Sequence, residues 1–466
     1  MTIVDRLTSG DLGLVEEQRL RDHVRGRRWY GSKTQEITHA HIVDAAVVRT
    51  ESPLLVVAVA EVRFHEGTHD LYQLLLGLRP ADEGAVGEAI GETDGWVVYD
   101  ALDDAALARE LLSLMRRGAT VPAVEGSLEF QAIDPAALGG ELGMRPAGVE
   151  QSNTSVVFGD ELILKAYRRL EAGINPELEL LRFLTERGFA NIARLHGWYA
   201  YSGRPVEATL GILQRYVPSA VDGWELAIAE VGARPEEFLA RLRRLGEVTG
   251  ALHTALGSDP ADVDFAPEEP STESLALLTA TVDEEIEAIF LDLPETEAVE
   301  PIAGRGEEVR DRLRLMSHVG AVGRAIRTHG DYHLGQTLWT GTDWVVIDFE
   351  GEPARGLAER RRKRSPLRDV AGMLRSFAYA ASAVQILHGG EAPAGWEQRA
   401  REEFLDGYFG TVDRSLVPPS EEGKARLLAV FELEKAVYEL RYELNNRPDW
   451  VGIPVAGILR LLEAPL

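Results

Sequence analysis

His329-Gly330-Asp331-Tyr332-His333-Leu334-Gly335-Gln336 is followed by an apolar strand at 344–347 and then by Asp348-Phe349-Glu350. Asp331 and Gln336 stand five positions apart, and Asp348 comes directly after the strand. The spacing has a physical purpose. A short loop presents one carboxylate to an acceptor hydroxyl, while its far end and the next strand are placed to hold a divalent cation. Phosphoryl transfer asks for this, because it needs positioning and charge neutralisation more than covalent chemistry.

Protein kinases use the same interval: an Asp in the catalytic loop, an Asn five positions later, and a second Asp on the following hairpin. Here the amide is Gln336. His329 and His333 are four apart, which on a helix would suggest a zinc pair, but Gly330 and Gly335 argue for a loop and no further ligand completes a set. His329 is therefore read as a residue that braces the loop.

Upstream lies what the nucleotide side of such a site requires. Gln151, Ser152, Asn153, Thr154 and Ser155 form a small polar loop between strand patterns, able to offer hydroxyls and backbone amides to phosphate oxygens. Lys165 sits ten residues on, between Leu164 and Ala166 on an apolar strand, where a lysine is seldom buried without a partner. Asn175 and Pro176 then open a helix, an amide at the cap and a proline where its missing N–H costs nothing. Either Glu177 or Glu179 on that helix is able to pair with Lys165, and Glu179 is taken as the expected partner.

Outside these motifs the chain bounds its own function. Of 466 residues, 45% are hydrophobic, and 49 Lys and Arg stand against 76 Asp and Glu, a net charge of −27. So acidic a balance argues against a general nucleic-acid or anionic-membrane surface. The absence of cysteine excludes disulfides and thiol catalysis. The N-terminus lacks a basic segment and a hydrophobic stretch, and the longest apolar run, 54–60, is too short to cross a bilayer, so a cytoplasmic protein with no membrane span is expected.

Strand patterns at 37–48, 54–64 and 71–78 predict a small α+β module over 1–100; an intermediate segment and sheet-based small lobe follow at 101–218, and a helical lobe fills 219–466. Within that last region Asp369 lies in the first turn of an apolar helix, placed to favour the helix dipole or to reach back to the catalytic loop. The basic run 360–364 is read as local charge balance or as contacts to phosphate. A late helix carries Lys435, Glu439 and Glu443 at four-residue steps with Tyr438 and Tyr442 beside them, then Arg447 and Trp450. It reads equally well as a solvated face or as a sugar site, since sugars are held by carboxylates and flat rings.

The segments 329–336, 348–353, 365–375 and 435–454 closely resemble the bacterial maltokinases, and Arg28-Trp29-Tyr30-Gly31-Ser32-Lys33 looks like the opening of the cap those enzymes carry. The resemblance implies an α+β, bilobal, protein-kinase-like (aminoglycoside-phosphotransferase-like) fold with an N-terminal α+β cap. It also implies transfer of the ATP γ-phosphate to the anomeric hydroxyl of maltose, for α-glucan synthesis from trehalose. In that assignment Asp331 is the base, Gln336 and Asp348 bind Mg2+, and residues 151–155 with Lys165 hold phosphates. The acceptor is expected among Tyr332, His333, Glu439, Tyr442, Glu443 and Trp450. Glucosamine kinases share much of the loop, so glucosamine is the alternative acceptor. A partner of trehalose synthase without catalysis is the reading from another class.

Overall fold

The computed structural model describes residues 2–140, 142–148, 152–318, 320–390 and 392–464. They form two compact units, 1–182 with 193–218, and 183–192 with 219–466.

The first unit contains two antiparallel sheets. One is built from β1 (Ile37–Arg49), β2 (Leu54–Phe64), β3 (His69–Pro80), β4 (Ala89–Thr93) and β5 (Trp96–Asp100), in the order β1-β2-β3-β5-β4. Strand β2, interior to the sheet, explains the apolar run at 54–60. Side chains alternate between the faces of a strand, and here both faces are covered. Leu54, Val56, Ala58, Ala60 and Val62 pack with Leu7 of α1 (Ile3–Thr8) and with Leu20 and Val24 of α2 (Glu17–Gly26). Leu55, Val57 and Val59 instead share a core with Leu107 and Leu111 of α3 (Ala105–Arg117). That helix starts at Asp104, whose side chain accepts from the Ala106 amide, and stops at Gly118 in the left-handed conformation, φ +58°.

The other face of α3 meets the second sheet through Leu128, Phe130, Val156, Phe158 and Leu164. This sheet comprises β6 (Thr120–Pro122), β7 (Gly126–Ala132), β8 (Met144–Pro146), β9 (Asn153–Phe158), β10 (Leu162–Tyr167), β12 (Leu195–Gly203) and β13 (Glu207–Arg215), in the order β6-β7-β12-β13-β10-β9-β8. Between β10 and the helix α4 (Pro176–Glu186), the short strand β11 (Arg169–Leu170) crosses to pair with Tyr72 and Leu71 of β3, so the two sheets are joined by backbone hydrogen bonds.

His23 of α2 makes the stability of this unit depend on pH. Burial, aided by the neighbouring Arg27 guanidinium, pushes the imidazole down to about 4. The folded state therefore resists a proton that the unfolded chain accepts near pH 6.5, so stability is full above that value and declines as pH falls toward 4. Replacing His23 by Gln is expected to flatten the melting temperature between pH 6.5 and 4.5, where the native protein loses roughly 2 kcal/mol. Equal slopes in a thermal denaturation series would contradict this.

The second unit is helical: α5 (Gly223–Glu230), α6 (Pro235–Leu256), α7 (Thr272–Leu291), α8 (Gly306–Met316), α9 (Leu357–Arg360), α10 (Leu367–His388), α11 (Trp396–Thr411), α12 (Glu421–Asn446) and α13 (Gly452–Glu463). A three-stranded antiparallel sheet interrupts it, β14 (Val221–Asp222) with β15 (Thr337–Trp339) and β16 (Trp344–Val346). Residues 367–387 of α10 are long and apolar enough to cross a membrane, but 67% of the window is buried inside the protein, as befits a core helix. Ion pairs fasten α12 to its neighbours. Glu432 accepts from Arg401 at 2.8 and 2.9 Å and from Arg460 at 2.7 Å, which holds its carboxyl below the usual range against the upward push of burial.

Candidate active site

Residues 329–336 run from the core of the helical unit to a single helical turn at Leu334–Gln336 and into β15. The hairpin β15–β16 returns the chain, with Thr337 opposite Val346, and the Ile347 amide donates to the Gln336 carbonyl at 3.0 Å. That bond brings the end of β16 back to the end of the loop. Asp348 follows in the left-handed region, φ +62°, a costly conformation for a side chain larger than glycine. Backbone strain of this kind persists where surrounding structure enforces it, commonly at functional positions.

The loop is held by α10 along one stripe. Asp369 is buried and accepts from the His329 amide at 2.8 Å, the Gly330 amide at 3.0 Å and His253 Nε2 at 3.2 Å. Burial pushes the Asp369 carboxyl up, but these hydrogen bonds and the neighbouring histidines win and hold it below its ordinary value. Three residues on, Gly372 lets the helix approach: a Cβ there would stand 2.6 Å from the Tyr332 carbonyl oxygen. One turn further, the Leu334 amide donates to Ser376 Oγ at 3.3 Å. Of the two sequence readings for Asp369, the reach back to the loop is the one the fold adopts.

His329 braces the loop. Its Nε2 lies 2.9 Å from the Ile347 carbonyl, to which it must donate, leaving Nδ1 to face the Asp331 amide at 3.4 Å. Gly330, at φ +88°, faces Gly351; a Cβ on Gly330 would lie 3.3 Å from the Gly351 Cα. His333 turns back on its own loop, Nδ1 accepting from the Gly335 amide at 3.1 Å, with Nε2 3.9 Å from Asp331. Burial pushes the His333 imidazole down, so it is neutral at neutral pH.

Asp331 also meets a cation from α12: Lys435 Nζ lies 3.6 Å from Asp331 Oδ1. Burial presses Lys435 down, but Asp331, Glu439 and Glu352 outweigh it and keep the ammonium charged. Lys435 was legible as part of the helix pattern, but its approach to Asp331, across about a hundred residues, was not. Replacing Lys435 by Met is expected to lower kcat about fivefold, since an ion pair between partly exposed groups is worth up to about 1 kcal/mol. Steady-state rates within threefold of wild type would exclude Lys435 from the site.

The remaining acceptor candidates divide. Tyr332 is buried, with its hydroxyl 2.9 Å from Thr249 Oγ1, and is a core residue. Glu439 is buried and accepts from Arg375 at 2.7 and 2.9 Å; Glu443 is buried and accepts from Tyr379 at 3.0 Å and from Arg447 at 2.6 and 2.9 Å. These glutamates form a ladder against Arg375 and Tyr379, four residues apart on α10, so the spacing that suggested a sugar face is a helix-packing face. Tyr442 is 45% exposed with the Arg447 guanidinium 5.4 Å from its ring, and Trp450 stacks on Tyr379 at 6.1 Å and 20°.

In the first unit, Lys165 of β10 ion-pairs with Glu177 Oε2 at 2.8 Å, and Tyr167 donates to the same oxygen at 2.8 Å. This corrects the choice of Glu179. Glu177 lies in the first turn of α4, its amide capped by Asn175 Oδ1 at 2.8 Å and its side chain buried, whereas Glu179 is only half-buried. Two helical positions are about 200° apart, so only one of the pair is able to face β10. Asn153, Thr154 and Ser155 belong to β9 rather than to a loop, and Thr154 is buried with its hydroxyl accepting from Arg168 Nε at 2.8 Å. Ser152 is exposed just before the strand, and Gln151 lies outside the described residues.

Comparison with known proteins agrees with this geometry. Residues 143–405 match the phosphotransferase enzyme family, and residues 23–104 match the maltokinase N-terminal cap domain. A glucosamine kinase of Mycolicibacterium smegmatis is 30% identical over 69% of this chain and 80% of its own length; one of Streptacidiphilus jiangxiensis is 28% identical over 75% and 79%. Among solved structures, a glucosamine kinase (crystal form B) superposes with a TM-score of 0.71 at 21% identity, covering 95% of this chain and 99% of that one. A glucosamine kinase complex with glucosamine, ADP and inorganic phosphate gives 0.68 at 21%, covering 91% and 94%. With the spacing of Asp331, Gln336 and Asp348, the Lys165–Glu177 pair and the matched cap all in one chain, it belongs to the phosphotransferase enzyme family, in its kinase-like α+β fold with a maltokinase-type N-terminal cap.

Proposed function

We propose that this protein is an ATP-dependent sugar kinase that phosphorylates maltose at its anomeric hydroxyl, giving maltose 1-phosphate and ADP. The observation that carries the reaction is the set Asp331, Gln336 and Asp348 on one hairpin-closed loop, and the one that favours maltose is the matched maltokinase cap over 23–104. Asp331 takes the proton of the acceptor hydroxyl. The freed oxygen forms a bond to the γ-phosphorus as the bond from that phosphorus to the bridging oxygen of ADP breaks. Lys435 faces the Asp331 carboxylate across 3.6 Å, and neutral His333 leaves that carboxylate as the base.

The donor set suits Mg2+: an amide oxygen and a carboxylate oxygen are the hard ligands this cation takes, and the strained backbone at Asp348 is consistent with a residue fixed for ligation. Gln336 and Asp348 would hold it, and it would supply neutralisation of phosphate charge. On the nucleotide side, Lys165, oriented by Glu177 and Tyr167, meets the phosphates, with Ser155 at the start of β9 opposite it.

Glucosamine is the second reading, favoured by the curated relatives. Production of α-glucan from the phosphorylated product, and association with trehalose synthase, follow only if maltose is the acceptor. Measuring kcat/KM with ATP and Mg2+ for maltose, glucosamine, choline and an aminoglycoside decides the matter. Maltose is expected to exceed the others at least tenfold; preference for glucosamine would replace the acceptor while leaving the kinase in place.

A further inference from the structure

Arg168 is buried at 1% exposure. Taking a guanidinium out of water costs several kcal/mol unless its donors are met, and the groups that meet it come from three separate parts of the first unit. Its Nη2 donates to Asp100, the last residue of β5, at 2.7 Å; its Nε donates to Thr154 in β9 at 2.8 Å; and the guanidinium lies 5.7 Å from the ring of Trp29, between α2 and β1. The Arg168 carbonyl accepts from the Gln73 amide at 2.7 Å, and Gln73 Nε2 donates to the carbonyls of Tyr167 and Leu210 at 2.9 and 2.8 Å. Thr154 pairs with Ala166 in the register that sets Ser155 opposite Lys165. The N-terminal sheet thus grips both strands next to the phosphate-binding lysine, one through a side chain and the other through its backbone.

We infer that Arg168 is a positioning residue through which Asp100 of the N-terminal sheet, with Trp29 beside it, sets the start of β9 and thereby the affinity for nucleotide phosphates. This rests on the ATP-dependent reading above. Thr154 carries the effect: its hydroxyl accepts the Arg168 hydrogen bond, so it fixes the start of β9, where Ser155 lies opposite Lys165.

The test uses Thr154→Val, which keeps shape and removes the acceptor, Thr154→Ser, which keeps the hydroxyl, and Asp100→Asn in the full chain. ADP binding by calorimetry is measured with KM for ATP and for the sugar. Thr154→Val and Asp100→Asn are each expected to weaken ADP binding and raise KM for ATP about tenfold, with KM for the sugar within twofold and Thr154→Ser within threefold of wild type. The double variant is expected to lose less than the product of the two single losses, because both act through one guanidinium. ADP affinity of Thr154→Val within twofold of wild type, a loss in Thr154→Ser equal to that in Thr154→Val, or parallel rises in both KM values would overturn the inference. Wild-type protein that binds no ADP would remove the kinase reading, and the inference with it.

Discussion

Asp331→Asn is expected to lower kcat by about 10³-fold, within the range usual for removal of a general base, while ADP binding stays within a few-fold of wild type. Asn has the size of Asp and preserves the loop, which is built from backbone contacts to Asp369 and Ser376 that the substitution does not touch. What disappears is the proton acceptor and the partner of Lys435, 3.6 Å away. Rapid-quench measurement of product formation, alongside ADP calorimetry, separates the two effects. A kcat within tenfold of wild type would remove Asp331 from the role of base.

Asp369→Ala is expected to destabilise the protein by about 3–5 kcal/mol, since breaking one side of a buried charged cluster leaves the rest uncompensated. Two backbone amides, of His329 and Gly330, and His253 Nε2 would lose the carboxylate they share. Urea unfolding measures this directly. Asp369→Asn retains one acceptor oxygen and is expected to lose roughly half as much, with kcat reduced because the loop carrying Asp331 is no longer pinned at both amides. Unfolding of Asp369→Ala within 1 kcal/mol of wild type, a value below the cost of even one orphaned buried donor, would contradict this account of the loop.

Short-range patterns carried most of what the chain disclosed. The Asn175-Pro176 helix start and the apolar run of 54–60 each depend on neighbours a few residues apart, and each describes the structure it forms. Where the reading failed, the deciding partner was distant. For Glu439 and Glu443 the sequence left a solvated face and a sugar site equally open, and it could not show that Arg375 and Tyr379, 64 positions earlier, fold against them. Arg168 carries no local signal, because its partners are Asp100 and Thr154, from separate strands. Glu177 and Glu179 are equivalent in composition and differ only in helix phase, which depends on where α4 begins. Strand β6 went unread because it is three residues long and contains a proline, too brief for any period to register.

Phosphorus NMR of the reaction mixture of wild-type protein, ATP, Mg2+ and maltose tests the central claim most directly. The account predicts one new phosphomonoester resonance coupled to an anomeric proton, growing in step with ADP and absent with Asp331→Asn. ADP released together with inorganic phosphate, and no sugar phosphate from maltose or glucosamine, would contradict it.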